Sequence, residues 1–226
     1  GDAEAMKVRD GSLPLAKSIN LSPLPAGLAV DGKLDEWTGP EAGAMAHHGF
    51  IVTGVEVWKD AKDCSAKFWL ARDAEAIYLA AEVTDNAVYP NPNLAQLWGG
   101  DGVEVFFDFR GPDKIGQAKH SPGVVQFGFA PAKSGDDVAV WTAAPKIEGF
   151  VGKSTRTATG YTMELKFPVA GLKKAGLTPG PDFNFDIAVD DGDNSEPVSR
   201  KLQMVWSSSW DAWENASRYS RMLPAK

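Results

Sequence analysis

Carboxylates and tryptophans are the side chains whose number and placement in this sequence could do chemistry. Glu104 and Asp108 are a regularly spaced acidic pair. Four residues apart in an extended segment, their Cα atoms lie about 13 Å from each other. That is too far for the carboxyl pair of a retaining glycosidase, which sits about 5–5.5 Å apart. They read more simply as polar strand residues, and other acidic pairs stay open. The chain has eight tryptophans. Trp37, Trp58, Trp69 and Trp206 sit in strand-like contexts and read as core. Trp98 follows a Pro-Asn-Pro-Asn stretch and precedes Gly99-Gly100, and Trp210 and Trp213 lie in a Ser-rich segment. Loops run over the surface, so these three are candidates for lining a binding site. His47, His48 and His120 are the only histidines, and the adjacent pair would point opposite ways on a strand. Cys64 is the only cysteine, which excludes an intrachain disulfide and a CxxC site. No GxGxxG, Walker, HExxH or GxSxG pattern is present.

The net charge is −7. Nucleic acid and anionic membrane surfaces need a positive field, so both are disfavoured as partners. An acidic surface suits neutral ligands and calcium, or serves solubility alone. No apolar run approaches the ~20 residues that cross a bilayer. The chain opens on Gly-Asp-Ala-Glu-Ala rather than Met, with no charged and apolar leader. The expectation is a trimmed signal peptide and an extracellular or periplasmic location.

What must position these residues is a set of strands. Tyr161–Phe167 alternates apolar and polar, as do Phe183–Asp190, Val103–Phe109 and Ile77–Val83. Further strands are predicted at 54–58, 66–71, 123–130, 137–142, 148–157, 202–206 and 218–223, separated by Gly, Pro, Asn and Asp clusters. Only 168–176 reads as a helical turn, stopped by Gly176. The predicted fold is all-β: an antiparallel two-sheet β-sandwich of immunoglobulin-like or jelly-roll-like type with little helix. Residues 28–226 form one domain, and the proline-bearing stretch 1–27 packs on it or leads into it.

Six segments in order resemble the family 9 carbohydrate-binding modules. They are Val30-Asp-Gly-Lys-Leu-Asp-Glu-Trp37, Ile77-Tyr-Leu-Ala-Ala-Glu-Val-Thr-Asp85 and Trp98-Gly-Gly-Asp-Gly-Val-Glu-Val-Phe-Phe-Asp108. Tyr161–Pro168 follows, then Phe183–Asp191 with Arg200 and Val205-Trp206, and last Trp213–Tyr219. The resemblance implies a non-catalytic sugar binder, acting as a monomer and associated with polysaccharide degradation. The ligand would be of cello- or xylo-type. It also implies a slot between two tryptophans, matched here by Trp98 and Trp213, with Glu104 as the rim carboxylate. Flat rings cover the C–H faces of a pyranose, and charged side chains bind its rim hydroxyls. Trp210, Gln126 and Asp101 complete the expected site. Two positions depart from the family pattern. Its arginine falls at Gly128, where Gln126 could donate instead, and its asparagine falls at Trp210.

The family also carries structural calcium, for which Asp31, Asp35 and Asp190, in the run Asp190-Asp-Gly-Asp193, are the candidate ligands. An acidic turn accounts for the same residues without an ion. Other functions stay open, because one sandwich hosts many. A related sandwich holds haem b in electron transfer, which would need axial His, Met or Lys. A glycosidase activity of the chain's own and an interaction domain without a small ligand are the others.

Overall fold

A computed structural model describes residues 18–132, 136–193 and 199–225. The chain is a β-sandwich. Its strands are β1 (Ser18–Asn20), β2 (Gly43–Met45), β3 (Ile51–Thr53), β4 (Cys64–Arg72), β5 (Ala76–Asp85), β6 (Gly102–Asp108) and β7 (Val124–Ala130). They continue as β8 (Ala139–Val140), β9 (Val151–Thr157), β10 (Gly160–Pro168), β11 (Asn184–Asp191), β12 (Leu202–Val205) and β13 (Ser220–Leu223). One sheet runs β1-β13-β11-β6-β7-β8, with β12 beside β11 and β3 beside β12. The other runs β2-β4-β5-β10-β9. All pairs are antiparallel except β1 with β13. One α-helix is described, α1 (Val169–Lys174), with Gly176 at φ +80° just beyond it. No helix among the described residues is long and apolar enough to cross a membrane.

Period-two alternation explains the core. Val103, Val105 and Phe107 on β6, Val125, Phe127 and Phe129 on β7, and Phe185, Ile187 and Val189 on β11 all point between the sheets. Phe167 of β10 meets them edge-on, 5.5 Å from Phe107. The opposite, outer face of β6 and β11 is covered too. The segment after β12 folds back over it, so that Ala212, Ala216 and Tyr219 pack on Phe106, Ala188 and Val205. Tyr219 fixes the fold-back by donating to the Ala212 carbonyl at 2.8 Å, and Ala216 N donates to the Ala118 carbonyl at 3.0 Å.

The first recognised motif is structural. Glu164 on β10 accepts from the amides of Asp31 and Gly32, both at 2.9 Å, and from the indole of Trp37 at 2.8 Å. The indoles of Trp58, Trp69 and Trp206 donate to Cys64 O, Gly39 O and Ser220 Oγ. These four tryptophans therefore belong to the scaffold.

The strand expected over 54–58 is instead a turn after β3. Gly54 takes φ +78°, and a Cβ there would meet the Lys201 carbonyl oxygen at 2.0 Å. The chain reverses before a ladder can form. Replacing Gly54 by Ala combines a left-handed backbone with a backbone clash and is expected to cost about 2 kcal/mol or more. A lowered urea midpoint checks this.

Candidate functional site

The outer face of the first sheet, where the fold-back leaves it uncovered, is the floor of a cavity of about 670 Å³. Strand parity puts Glu104 and Phe106 of β6, Gln126 of β7 and Gln203 and Val205 of β12 on that floor. Loops supply the walls, with Trp98 on a short 3-10 turn (Leu94–Gly99), Trp210 and Trp213 on the fold-back, and Trp141 just after β8. In the Leu94–Gly99 turn Leu97 is fully buried, which turns its neighbour Trp98 outward. Trp98, Trp213 and Trp210 are 40%, 54% and 69% exposed, so these large rings stand at the mouth in water.

The floor is a polar network. Gln126 Nε2 and Gln203 Nε2 both donate to Glu104, one to each carboxylate oxygen, the second at 2.8 Å. Gln203 also donates to Asp190 Oδ1 at 3.0 Å, and so does Arg200 at 3.0 Å. The Arg200 guanidinium lies 3.7 Å from Glu104 and 5.4 Å from the centre of the Trp98 ring. Burial and the neighbouring Glu104 push the Asp190 carboxyl well above the usual carboxylate range, with Arg200 opposing them. Lone pairs, amide N–H groups and one guanidinium are thus held in place beneath aromatic walls. That combination grips a polyhydroxylated ring whose faces are apolar.

Of the residues expected to bind ligand, Trp98, Glu104, Gln126, Trp210 and Trp213 line this one cavity. Asp101 does not. It is fully buried and accepts from Tyr89 N and Gly192 N. It lies three residues before Glu104, and an odd separation along an extended chain turns it to the other face. Trp141, Arg200 and Gln203 were missed as site residues. Arg200 lies in a recognised segment, but its reach to Glu104 depends on β12 lying beside β11. The Gly128 departure also has a local cause. A Cβ at Gly128 would stand 3.1 Å from the Trp141 Cβ, so Trp141 occupies the space above it.

The calcium candidates do not come together. Asp31 and Asp35 are exposed on the turn anchored by Glu164, Asp31 pairing with Lys33 at 3.8 Å, and Asp190 lies beneath the cavity floor, bonded to Arg200 and Gln203. Among the described residues the acidic cluster with metal-like spacing is Asp85, Asp101 and Asp191, whose carboxylate oxygens lie within 4.8 Å of one another. Asp191 follows Asp190 directly, and the strand turns it to the other face. Burial, followed by Asp85, pushes Asp101 up to about 9 and Asp191 up to about 7. The unpartnered hydroxyl of fully buried Tyr161 lies in the same field. Arg156 is the cation that feels Asp85 and Asp101, and its own burial opposes its charge. Three buried carboxylates this close together are a donor set of hard oxygens that fits calcium.

The sequence pattern of the family described as carbohydrate family 9 binding domain-like runs through residues 30–223. The chain belongs to this family. Two solved structures of family 9 modules from Caldicellulosiruptor kristjanssonii share its fold. One, in complex with cellotriose, is 19% identical, with a TM-score of 0.69 over 92% of this chain and 94% of that one. The other, in complex with glucose, is 19% identical, with a TM-score of 0.65 over 93% and 97%. No curated protein matches the chain. Across this family 9 chain the match includes every described residue of the cavity and of the three-aspartate cluster.

Proposed function

We propose that this chain is a non-catalytic carbohydrate-binding module. It holds pyranose rings of a cello- or xylo-type oligosaccharide among Trp98, Trp213 and Trp210 and binds their hydroxyls through Glu104, Gln126, Gln203 and Arg200. The observation that carries this reading is the set of exposed tryptophans standing over one pre-formed charged floor. The family membership and the cellotriose and glucose held by its structural neighbours support it. We further place it in polysaccharide degradation outside the cytoplasm.

The placement of the acids supports binding without turnover. Glu104 is the one carboxylate in the described lining. Asp190 lies beneath it, and both accept from the same Gln203 amide. Two carboxylates on one side of a ligand cannot act from opposite sides of its glycosidic bond, as hydrolysis requires. Haem is disfavoured by the lining, whose described residues offer no His, Met, Cys or Lys as an axial ligand.

Calorimetric titration with cellotriose, xylotriose and glucose tests the reading. Saturable heat is expected with at least one of them. Glu104→Gln keeps the size but puts an amide where two amide donors point. It is expected to lower affinity about 10- to 100-fold, the worth of a charge-assisted hydrogen bond. No heat with any of the three at millimolar sugar would sink the proposal.

A structural calcium ion at Asp85, Asp101 and Asp191 is the second part of the reading. Its role there is charge neutralisation where three elements meet, at the end of β5, the entry to β6 and the end of β11.

A further inference from the structure

Trp141 is the wall residue whose contacts reach furthest. Its indole N–H donates to the Ala95 carbonyl at 3.1 Å, and the next amide, Thr142 N, donates to the Leu94 carbonyl at 3.2 Å. Both acceptors belong to the short turn that carries Trp98. Buried Leu97 anchors that turn from below, and a few local hydrogen bonds hold the rest. Asn93 caps its start by accepting from Ala95 N at 3.2 Å, and Asn91 Nδ2 donates to the Gln96 carbonyl at 2.8 Å. Gln96 departs from helical geometry at φ −126°, so the turn is kinked directly before Leu97 and Trp98. A kinked single turn has no ladder of its own to set the direction of an exposed ring. On its other side Trp141 is tied to β7, its amide donating to the Gly128 carbonyl at 2.9 Å. The missing side chain at Gly128 lets it sit that close. The same ring also walls a second, apolar cavity of about 550 Å³, lined by Phe127, Phe129, Ile147 and Phe150.

We infer that Trp141 is a positioning residue of the carbohydrate site. It couples the edge of β7 to the Leu94–Gly99 turn and sets the orientation of Trp98, while its carbon face closes the Gly128 side of the cavity. The indole N–H is spent on Ala95, so Trp141 offers a ligand only apolar surface. That side of the cavity therefore selects for ring faces or for an apolar rim group rather than for hydroxyls. This inference rests on the carbohydrate reading for its ligand, but not for its geometry.

Trp141→Phe keeps an aromatic wall and removes the donor to Ala95. Gly128→Ala keeps the donor and crowds the Trp141 Cβ. Each is made in 5-fluorotryptophan protein, with the Trp98 resonance assigned by its loss in Trp98→Phe. The expected result is a shifted or broadened Trp98 resonance in both variants with an unchanged unfolding midpoint. Cellotriose affinity is expected to fall about tenfold in Trp141→Phe, the size of one lost positioning contact. An unmoved Trp98 resonance in both variants overturns the inference. So does unchanged cellotriose affinity in both when the wild type binds. A wild type that ignores cellotriose counts against the carbohydrate reading instead, and the Trp98 resonance still decides the role of Trp141.

Discussion

Replacing Trp98 by Ala is expected to abolish measurable binding of cellotriose while leaving the fold intact. The ring is 40% exposed, so its loss opens no interior void, and thermal unfolding should stay near that of the wild type. What is lost is the flat apolar face against which a pyranose stacks, together with the ring on which the Arg200 guanidinium rests. Central aromatic residues of a binding site typically contribute about 2 kcal/mol or more, a loss of about 30-fold or more in affinity. Sugar-binding sites of modest strength fall below detection with such a loss. Trp213→Ala is expected to act similarly. Trp210, at 69% exposure, stands furthest into solvent and should matter less for glucose than for cellotriose, whose added rings extend past the mouth. Calorimetry on the three variants gives this ranking directly. Wild-type affinity in Trp98→Ala would place any sugar site elsewhere on the molecule.

Calcium is expected to raise the unfolding temperature of the chelator-treated protein, and most strongly above neutral pH. A carboxyl group whose pKa is higher in the folded chain than the usual 3.8 holds its proton more tightly when folded. Stability from that source is fully present below about pH 4. It is lost as the pH climbs, and the loss is complete above the folded pKa of about 7 for Asp191 and about 9 for Asp101. A rise from 3.8 to about 7 corresponds to on the order of 4 kcal/mol for one group. A domain of this size shifts by about 2–4 °C per kcal/mol. The metal-free protein should therefore lose about 10 °C or more between pH 4 and pH 9.

Calcium at 100 times its dissociation constant adds about 2.7 kcal/mol, or about 5–10 °C. Asp186 serves as an internal control. It is fully buried, pushed up to about 7 by that burial, and hydrogen-bonded to its own Ile187 amide and to Ser207 N. Its share of the pH-dependent loss should persist when calcium is present. Asp101→Asn should reduce the pH dependence, leaving the share of Asp186, and remove the calcium response. A chelated protein that melts at the same temperature with and without calcium at pH 8 would sink the metal assignment.

The two-sheet architecture was legible because half-buried strands carry a period of two, as in Tyr161–Phe167 and Phe183–Asp190, where the apolar set points to the core. The same parity separates Glu104 from Asp101 and Asp190 from Asp191. That separation corrects the expectations that Asp101 joins the sugar site and that Asp190 holds calcium: Asp101 lies in the three-aspartate cluster and Asp190 lies beneath the cavity. Trp98, Trp210 and Trp213 stood out because large rings in loops have no core to enter. The short elements β1, β2 and β3 left no such trace. Three residues cannot establish a period, and their strand state comes from the neighbours that they pair with.

The tertiary structure decided which distant segments meet. Arg200 reaches Glu104, and Gln203 reaches both Glu104 and Asp190, because β12 lies beside β11 on the face that carries them. Trp141 reaches the Trp98 turn because β8 closes the edge of β7. Asp85, Asp101 and Asp191 come from three strands or strand entries far apart in the chain, and only the packing of the two sheets brings their charges together. Alternation along a strand is local and is written in the sequence. The order of strands in a sheet, and so the company that each side chain keeps, is set by long-range pairing that no short window of residues contains.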